Sequence, residues 1–440
     1  MKRNLLLFIC GTALTWSSPE LPKLIDPATT RFHRKISPDE TSWISSILTL
    51  GAAIGPFIFG YLAEKIGRKA TLLYLGVPFL VCYPFLAFSK TTEAFFVARF
   101  IMGLAVGGTF LVMPMYIGEI ADKHNRGALG SSMSCFVCFG IFFSCSLGPY
   151  ISVTAFNLIL AAFPLVYLAL FFPIAPESPY FYISGGETDL AKGVLEKMYA
   201  SPDIVEKELI DIQTTIAEEA KATFKEIIGS KGLTKALTIS VGLLVFQQFS
   251  GINAVLFYSQ QIFQQTGTTL PAEICTIIIV GVQFLSSFLT PLIVERFGKK
   301  KILIFSAVGM AASEVPLGVF CYLKNHGVDV TPVTFLPILT LTTFIISFNS
   351  GFGPLPWALL CELFPSNVKS IASASVSSII WVLAFFITKY FEAMVVMFGV
   401  GQLFLFFAFC CMLSIMFVIF CVIETKGKTL NEIQDLLMNK

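Results

Sequence analysis

From Gly127 to Pro176 the chain runs 50 residues without a charged side chain. A helix rising about 1.5 Å per residue needs about 20 apolar residues to cross a hydrocarbon core. This stretch therefore holds two crossings, with Gly148-Pro149 as the turn between them. The same ruler gives one crossing each in 236–272, 274–294, 330–361, 370–388 and 393–423. The stretches 42–63, 70–89, 94–117 and 302–322 are as apolar, with at most one charge each, and Leu5 to Ile25 is a spanning length interrupted by Glu20 and Lys23. Twelve membrane-spanning helices are expected, so the fold class is an all-α membrane protein. Composition agrees: charged residues are 13% of the chain, against about 25% in soluble domains, too few to coat a surface that faces water. A removable signal peptide is the competing reading of residues 1–20, but no small-residue cleavage site is clear there.

Lys and Arg concentrate in loops on the cytoplasmic side of membranes. With both termini cytoplasmic, 22 of the 30 Lys and Arg fall on that side, seven outside, and Arg99 within a span. The long polar segment 176–232 then lies in the cytoplasm between spans 6 and 7. Its Glu206, Glu208, Asp211, Glu218 and Glu219 fall at helical spacing, and Leu190, Val194, Leu195 and Met198 form an apolar stripe suited to docking, so it reads as a helical linker. A disordered linker is the alternative. The expected division is 1–175, an N-terminal six-helix bundle; 176–232, the linker; 233–423, a C-terminal six-helix bundle; and 424–440, a cytoplasmic tail.

Several function classes are excluded or weakened. The net charge of +2 supplies no basic field for nucleic acid. The 11 cysteines sit mostly in apolar runs, where they act as small hydrophobes, and Cys135 and Cys138 lack a second ligand pair for a metal. No Walker loop is present, and three histidines make no triad with a shared site, so no covalent chemistry and no cofactor is expected.

The charged landmarks repeat. Glu64-Lys65-Ile66-Gly67-Arg68-Lys69 follows span 2, and Glu295-Arg296-Phe297-Gly298-Lys299-Lys300 follows span 8. Glu119 precedes Arg126 after span 4 as Glu362 precedes Lys369 after span 10, and Glu177 after span 6 recurs as Glu424 after span 12. Such order is the mark of a transporter built from two parallel six-helix repeats. These residues resemble the sugar porters of the major facilitator superfamily, especially the insect hexose and trehalose facilitators. The resemblance runs through Pro114-Met115-Tyr116-Ile117-Gly118-Glu119, Pro176-Glu177-Ser178-Pro179, Gln247-Gln248-Phe249-Ser250-Gly251-Ile252-Asn253, Gly353-Pro354-Leu355-Pro356-Trp357 and Glu424-Thr425-Lys426-Gly427-Lys428-Thr429. The glutamine-rich run is the most specific of them.

A sugar hydroxyl both donates and accepts, and neutral amides match it without the cost of a buried charge. Gln247, Gln248 and Asn253 in span 7 and Gln283 in span 8 are the candidate substrate contacts; interhelical glue is the other use of such amides. Gln248 and Asn253 point about 140° apart on an unbroken helix, and Ser250-Gly251 is a place for it to unwind. Trp357 follows two prolines that must break span 10, and its indole suits the C–H face of a sugar ring.

By resemblance, Arg99, Glu119, Arg126, Glu295, Arg296, Glu362 and Lys369 form gating ion pairs across the two halves when the cavity faces outward, so that opening inward breaks them. Arg99, inside a span, is expected to find Glu119 as its partner. Against the family pattern, Ser134 and Ile380 stand where span 5 usually offers Gln and span 11 offers Asn beside Trp381. Thr12 stands where proton-driven members carry Asp. Glu20 and Glu314 are expected near the outer face, in reach of water. The resemblance thus implies facilitative transport of a hexose or trehalose by alternating access in the plasma membrane, with a small sugar and the bilayer as partners and no obligate protein partner. A proton-sugar symporter, or a transporter-like sensor with little flux, is the alternative.

Overall fold

The computed structural model describes the chain apart from residues 1–3, 33, 121–125, 200, 219–230, 269, 289–292, 294–295, 365, 427, 429 and 440. Its spanning segments follow the apolar stretches of the sequence. Span 1 is Leu5–Thr15 and Ser17–Ile25, joined through Trp16 in right-handed helical geometry. Spans 2 to 6 are Pro38–Ile66, Arg68–Phe88, Thr92–Ile120, Arg126–Leu147 and Val153–Ile174. Span 7 is Lys231–Phe249 with Ile252–Thr266, span 8 is Ala272–Ser287, and span 9 is Lys299–Asn325. Span 10 is Leu336–Ser350 with Leu355–Leu363, span 11 is Ser366–Phe398, and span 12 is Val400–Cys421. Ten of these are long and apolar enough to cross a membrane unaided. The other two are the two-piece span 1 and the short apolar span 8.

Charge spacing misplaced one boundary. Span 11 does not end at Lys389 but continues past Glu392 to Phe398, and Gly399, at φ +87°, makes the turn into span 12. Lys389 is accommodated because Asp39, in the first turn of span 2, meets it. Span 2 itself starts on a capping box: Ser37 accepts from the Glu40 backbone N–H while Glu40 accepts from that of Ser37.

Small residues set how closely the helices approach. A Cβ on Gly51 would lie 2.3 Å from the Phe100 carbonyl, and one on Gly107 would lie 2.1 Å from that of Ala52. Gly51 and Gly55 face Gly103 and Gly107, two small-xxx-small stretches that bring spans 2 and 4 into backbone contact. Gly11 and Gly140 do the same for spans 1 and 5, and Gly318 and Gly401 for spans 9 and 12.

Helices Pro179–Ser184, Thr188–Met198 and Pro202–Glu218 form the linker among the described residues, with a small core of Leu195, Val205 and Ile212. The expected docking stripe is only partly used. Leu195 is buried and Met198 packs on the main core, but Leu190 is 53% exposed. Leu190 lies about 140° around the helix from Leu195, and Ala191 takes the buried position instead.

Glu20 and Glu314 do not reach water as expected: they are 0% and 1% exposed. Lys23 donates to Glu20 at 2.8 Å, which lets that carboxylate stay inside. Glu314 turns toward span 12, where the Cys411 thiol donates to Oε2 at 3.4 Å and Oε1 has no partner among the described residues. A buried polar atom left unpaired costs about 1–3 kcal/mol. Glu314→Met is therefore expected to raise thermal stability in detergent while leaving flux unchanged; loss of flux at parental stability would place this carboxylate in the transport pathway.

Candidate substrate site and gates

The amides of span 7 meet because the helix breaks where Ser250-Gly251 suggested. Gly251 sits at φ +76°, a left-handed conformation that glycine adopts without strain, and the helix restarts at Ile252 in a new direction. Asn253 Nδ2 then donates to Gln248 Oε1, which the 140° separation of an unbroken helix forbids. Span 10 breaks as its prolines require. Gln247 Nε2 donates to the Phe352 and Gly353 carbonyls at 2.5 and 2.8 Å, so it satisfies oxygens freed by that break. Gln247 thus serves as interhelical glue through its N–H groups and keeps Oε1 as an acceptor. Trp357 is half-buried in the first turn of the helix after the break. Gln283 is 4% exposed; Asn349 Nδ2 donates to its backbone carbonyl, and its side-chain Oε1 has no partner among the described residues. Of the two departures, Ser134 is exposed and Ile380 is 1% exposed.

Arg99 does not pair with Glu119. They lie 20 residues apart on one helix, about 30 Å along its axis, a separation that no side chain bridges. The guanidinium is instead fully buried, donating to the carbonyls of Ala13, Ile44 and Ser45 at 2.6, 3.2 and 3.4 Å, and lies over the Trp16 ring at 5.1 Å. Beside it, Thr12 donates to the Ile9 carbonyl and meets the Tyr83 hydroxyl at 2.8 Å. Arg99 therefore ties spans 1, 2 and 4 together rather than bridging the halves.

Alternation of the crossings puts the linker and the turns after spans 2, 4, 8 and 10 at one end of the bundle, here the linker end. There the repeated charges form the same constellation twice. Glu119 pairs with Arg68 at 3.0 Å, and Glu177 accepts from the Arg68 and Lys69 backbone N–H groups at 2.8 and 3.0 Å. Glu362 pairs with Lys299, and Glu424 accepts from the Lys299 and Lys300 N–H groups at 3.1 Å. Each of these carboxylates, Glu177 and Glu424, caps a helix N-terminus, where the dipole favours negative charge. Each capped helix follows a glycine of positive φ, Gly67 or Gly298.

Arg68 and Lys299, 231 positions apart, are thus the basic partners of Glu119 and Glu362 in this state. The gating set implied by the resemblance names other basic residues for that role, although the repeated Gly-Arg and Gly-Lys carry the signal. Arg296 is exposed. Glu295 and the side chains of Arg126 and Lys369 lie outside the described residues. Both described linker-end pairs stay within one half of the molecule.

Among the described residues, the hydrogen bonds and ion pair between halves lie at the opposite, far end. Lys389 Nζ of span 11 reaches Asp39 Oδ1 of span 2 at 2.5 Å and Ser42 Oγ at 2.8 Å, and lies 4.5 Å above the Trp43 ring. Tyr258 of span 7 bonds Ser45 of span 2 and donates to the Thr388 carbonyl. Ser17 and Ser18 of span 1 meet the Phe257 carbonyl and Ser259 at 3.2 Å. This is a bundle clamped shut at the far end. The gating charges that the resemblance implies lie at the linker end, and these far-end contacts are not among them.

A model of the family described as "Sugar (and other) transporter" matches residues 26–437. The protein named facilitated trehalose transporter Tret1-2 homolog of Drosophila simulans is 34% identical over 441 residues, covering 99% of this chain and 90% of that protein. Facilitated trehalose transporter Tret1 of Drosophila grimshawi is 34% identical over 98% of this chain; the chain spans only 46% of that protein's length. Among solved structures, the major facilitator superfamily proton:xylose symporter XylE with bound 6-bromo-6-deoxy-D-glucose superposes with a TM-score of 0.80 at 25% identity, covering 99% of this chain and 98% of that one.

Proposed function

The chain belongs to the sugar (and other) transporter family, and from that premise we propose that it carries a sugar, a hexose or trehalose, across a membrane by alternating access and without coupling to protons. It is a multi-pass membrane transporter, not an enzyme. The observation that carries the proposal is the uncharged amide cluster at the two helix breaks: Gln248 with Asn253, and Gln247 beside the opening of span 10 where Trp357 begins the next helix. Neutral donors and acceptors suit sugar hydroxyls. Gln283 supplies a further acceptor. The names of the trehalose relatives agree with this substrate class.

The moving units of the proposal are residues 1–175 and 233–423, connected by 176–232, with 424–440 beyond. The plasma membrane and cytoplasmic termini are part of the same reading, supported by the excess of Lys and Arg on the linker side. The far end is then the outside, and the clamp there defines an inward-facing state. Arg68, Glu119, Lys299 and Glu362, with Arg126, Glu295, Arg296 and Lys369, are the charges proposed to rearrange when the linker side closes.

Uncoupled flux is favoured by Thr12, whose hydroxyl does not titrate near neutral pH, and by the cage of carbonyls around Arg99, which needs no carboxylate. Truncation tests the site. Asn253→Ala removes a donor shared with Gln248 and is expected to weaken sugar affinity about fivefold, the value of about 1 kcal/mol per hydrogen bond, with surface expression retained. Gln247→Ala also frees two carbonyls and is expected to lower stability as well as uptake. Unchanged uptake kinetics in Asn253→Ala and Gln248→Ala would remove the pair from the site.

A further inference from the structure

Four buried side chains in the C-terminal half carry polar atoms without partners among the described residues: Gln283 on span 8, and Ser377, Ser378 and Trp381 on span 11. The three on span 11 fall within about one helical turn, at i, i+1 and i+4, and are 2%, 8% and 8% exposed. A serine in a helix ordinarily returns its hydroxyl to the carbonyl one turn back, as Thr388 does to Ala384 at 2.8 Å on this helix. Ser377 and Ser378 do not.

Their position is fixed by their neighbours. Ser378, Trp381, Phe385 and Lys389 recur at three- and four-residue spacing and so share one face of span 11. The other members of that face all touch the opposite half: Trp381 packs on Phe110 of span 4 at 5.9 Å, Phe385 on Trp43 of span 2 at 5.7 Å, and Lys389 on Asp39. Ser378 continues the face toward the linker end, beyond the last of these contacts. Ser377, four residues before Trp381, lies about 40° from it around the helix on the side of Ile380, where no amide is available.

We propose that Ser377 and Ser378 are sugar-reading residues: their hydroxyls, beside the Trp381 indole N–H, bind hydroxyl groups of the substrate on the inter-half face of span 11 and help set which sugar is accepted. The inference rests on the transport reading above and adds residues to its site. A hydroxyl both donates and accepts, so a pair of serines meets a sugar hydroxyl in either sense. Leaving three polar atoms unpaired in a membrane interior is unfavourable in the empty protein, and a bound polyol relieves it. Sugar binding is thereby strengthened where the amide of span 11 is absent. Because their hydroxyls bond nothing among the described residues, the two serines contribute no side-chain hydrogen bond there, which separates this role from glue.

The test uses the full chain, purified and reconstituted, with Ser377→Ala, Ser378→Ala and the double variant. Two quantities are read: the unfolding temperature with and without glucose, fructose or trehalose, and the half-saturation of uptake into liposomes. The expected result is an unfolding temperature without sugar equal to or above the parent's, with half-saturation raised about three- to tenfold in Ser378→Ala and further in the double variant. Ser378→Thr, which keeps the hydroxyl, is expected to retain more of the parent's affinity than Ser378→Ala. A parent that carries sugar with the same half-saturation as both alanine variants would overturn the serine proposal alone. A parent that neither binds nor carries any of the sugars would overturn the transport reading and the serine patch with it.

Discussion

Gly107→Leu is expected to abolish recovery of folded protein. A Cβ at this position lies 2.1 Å from the Ala52 carbonyl oxygen and 2.8 Å from Ala52 Cα, both backbone atoms that no rotamer change removes. Spans 2 and 4 must separate to admit it, and the neighbouring contacts at Gly51, Gly55 and Gly103 open with them. Overpacking against movable side chains costs about 1–3 kcal/mol; a clash with backbone along a whole helix pair exceeds that and takes a large share of a total stability of about 5–15 kcal/mol. Gly193→Ala is the contrast, since it has no atom within 4 Å of the added methyl and sits inside a linker helix. It is expected to be neutral or stabilising by about 0.5–1 kcal/mol. Fluorescence-detected size exclusion of detergent extracts reads both. A monodisperse Gly107→Leu peak at parental yield would show that spans 2 and 4 are not in backbone contact.

The second large effect is on the balance between states. The Lys389 ammonium is 8% exposed and held at the far end by Asp39, Ser42 and the Trp43 face, whereas Asp39 is 74% exposed. Asp39 therefore loses little when the clamp opens, while Lys389 without it is a buried cation that has lost its direct ion-pair partner. Hydrogen bonds to charged groups are worth about 1.5–3 kcal/mol, and water at Asp39 places the pair toward the lower part of that range. Asp39→Asn and Lys389→Met are each expected to shift the equilibrium about tenfold toward the state open at the far end, because only the closed state makes this contact. Labelling of cysteines introduced at the two mouths measures it: the far mouth should gain reactivity and the linker mouth should lose it. Equal labelling in parent and variants would show that the contact does not bias access.

The linker-end charges act with the opposite sign if they pair across the halves in the other state. In the present state Glu119 and Arg68, and Glu362 and Lys299, hold each half together. Their duplication was legible from sequence, because a motif that recurs after 231 residues in matching loops requires matching surroundings. The breaks of spans 7 and 10 were legible for a local reason: Gly251 and the prolines at 354 and 356 restrict the backbone wherever the chain places them.

What escaped the sequence depends on partners distant in the chain. Arg99 finds carbonyls 54 to 86 residues away, and no spacing rule announces a carbonyl as a cation's partner. Lys389 marks the end of a span only where charge measures water contact; Asp39, 350 positions away, makes that measure fail. Glu314 fails it differently, lying inside the bundle with a thiol at its only bonded oxygen. The stripe in the linker was set by local spacing and was partly displaced, since the direction of the neighbouring helix decides which side of Thr188–Met198 is covered.

Flux of labelled glucose, fructose and trehalose through the purified protein in liposomes, with and without an imposed inward proton gradient, tests the central claim most directly. A uniporter with Thr12 and a caged Arg99 is predicted to equilibrate at least one of these sugars down its gradient, with no sugar-induced current and no accumulation above the outside concentration. Accumulation that a protonophore abolishes would contradict uncoupled transport, and sugar-dependent thermal stabilisation without any flux would contradict transport itself.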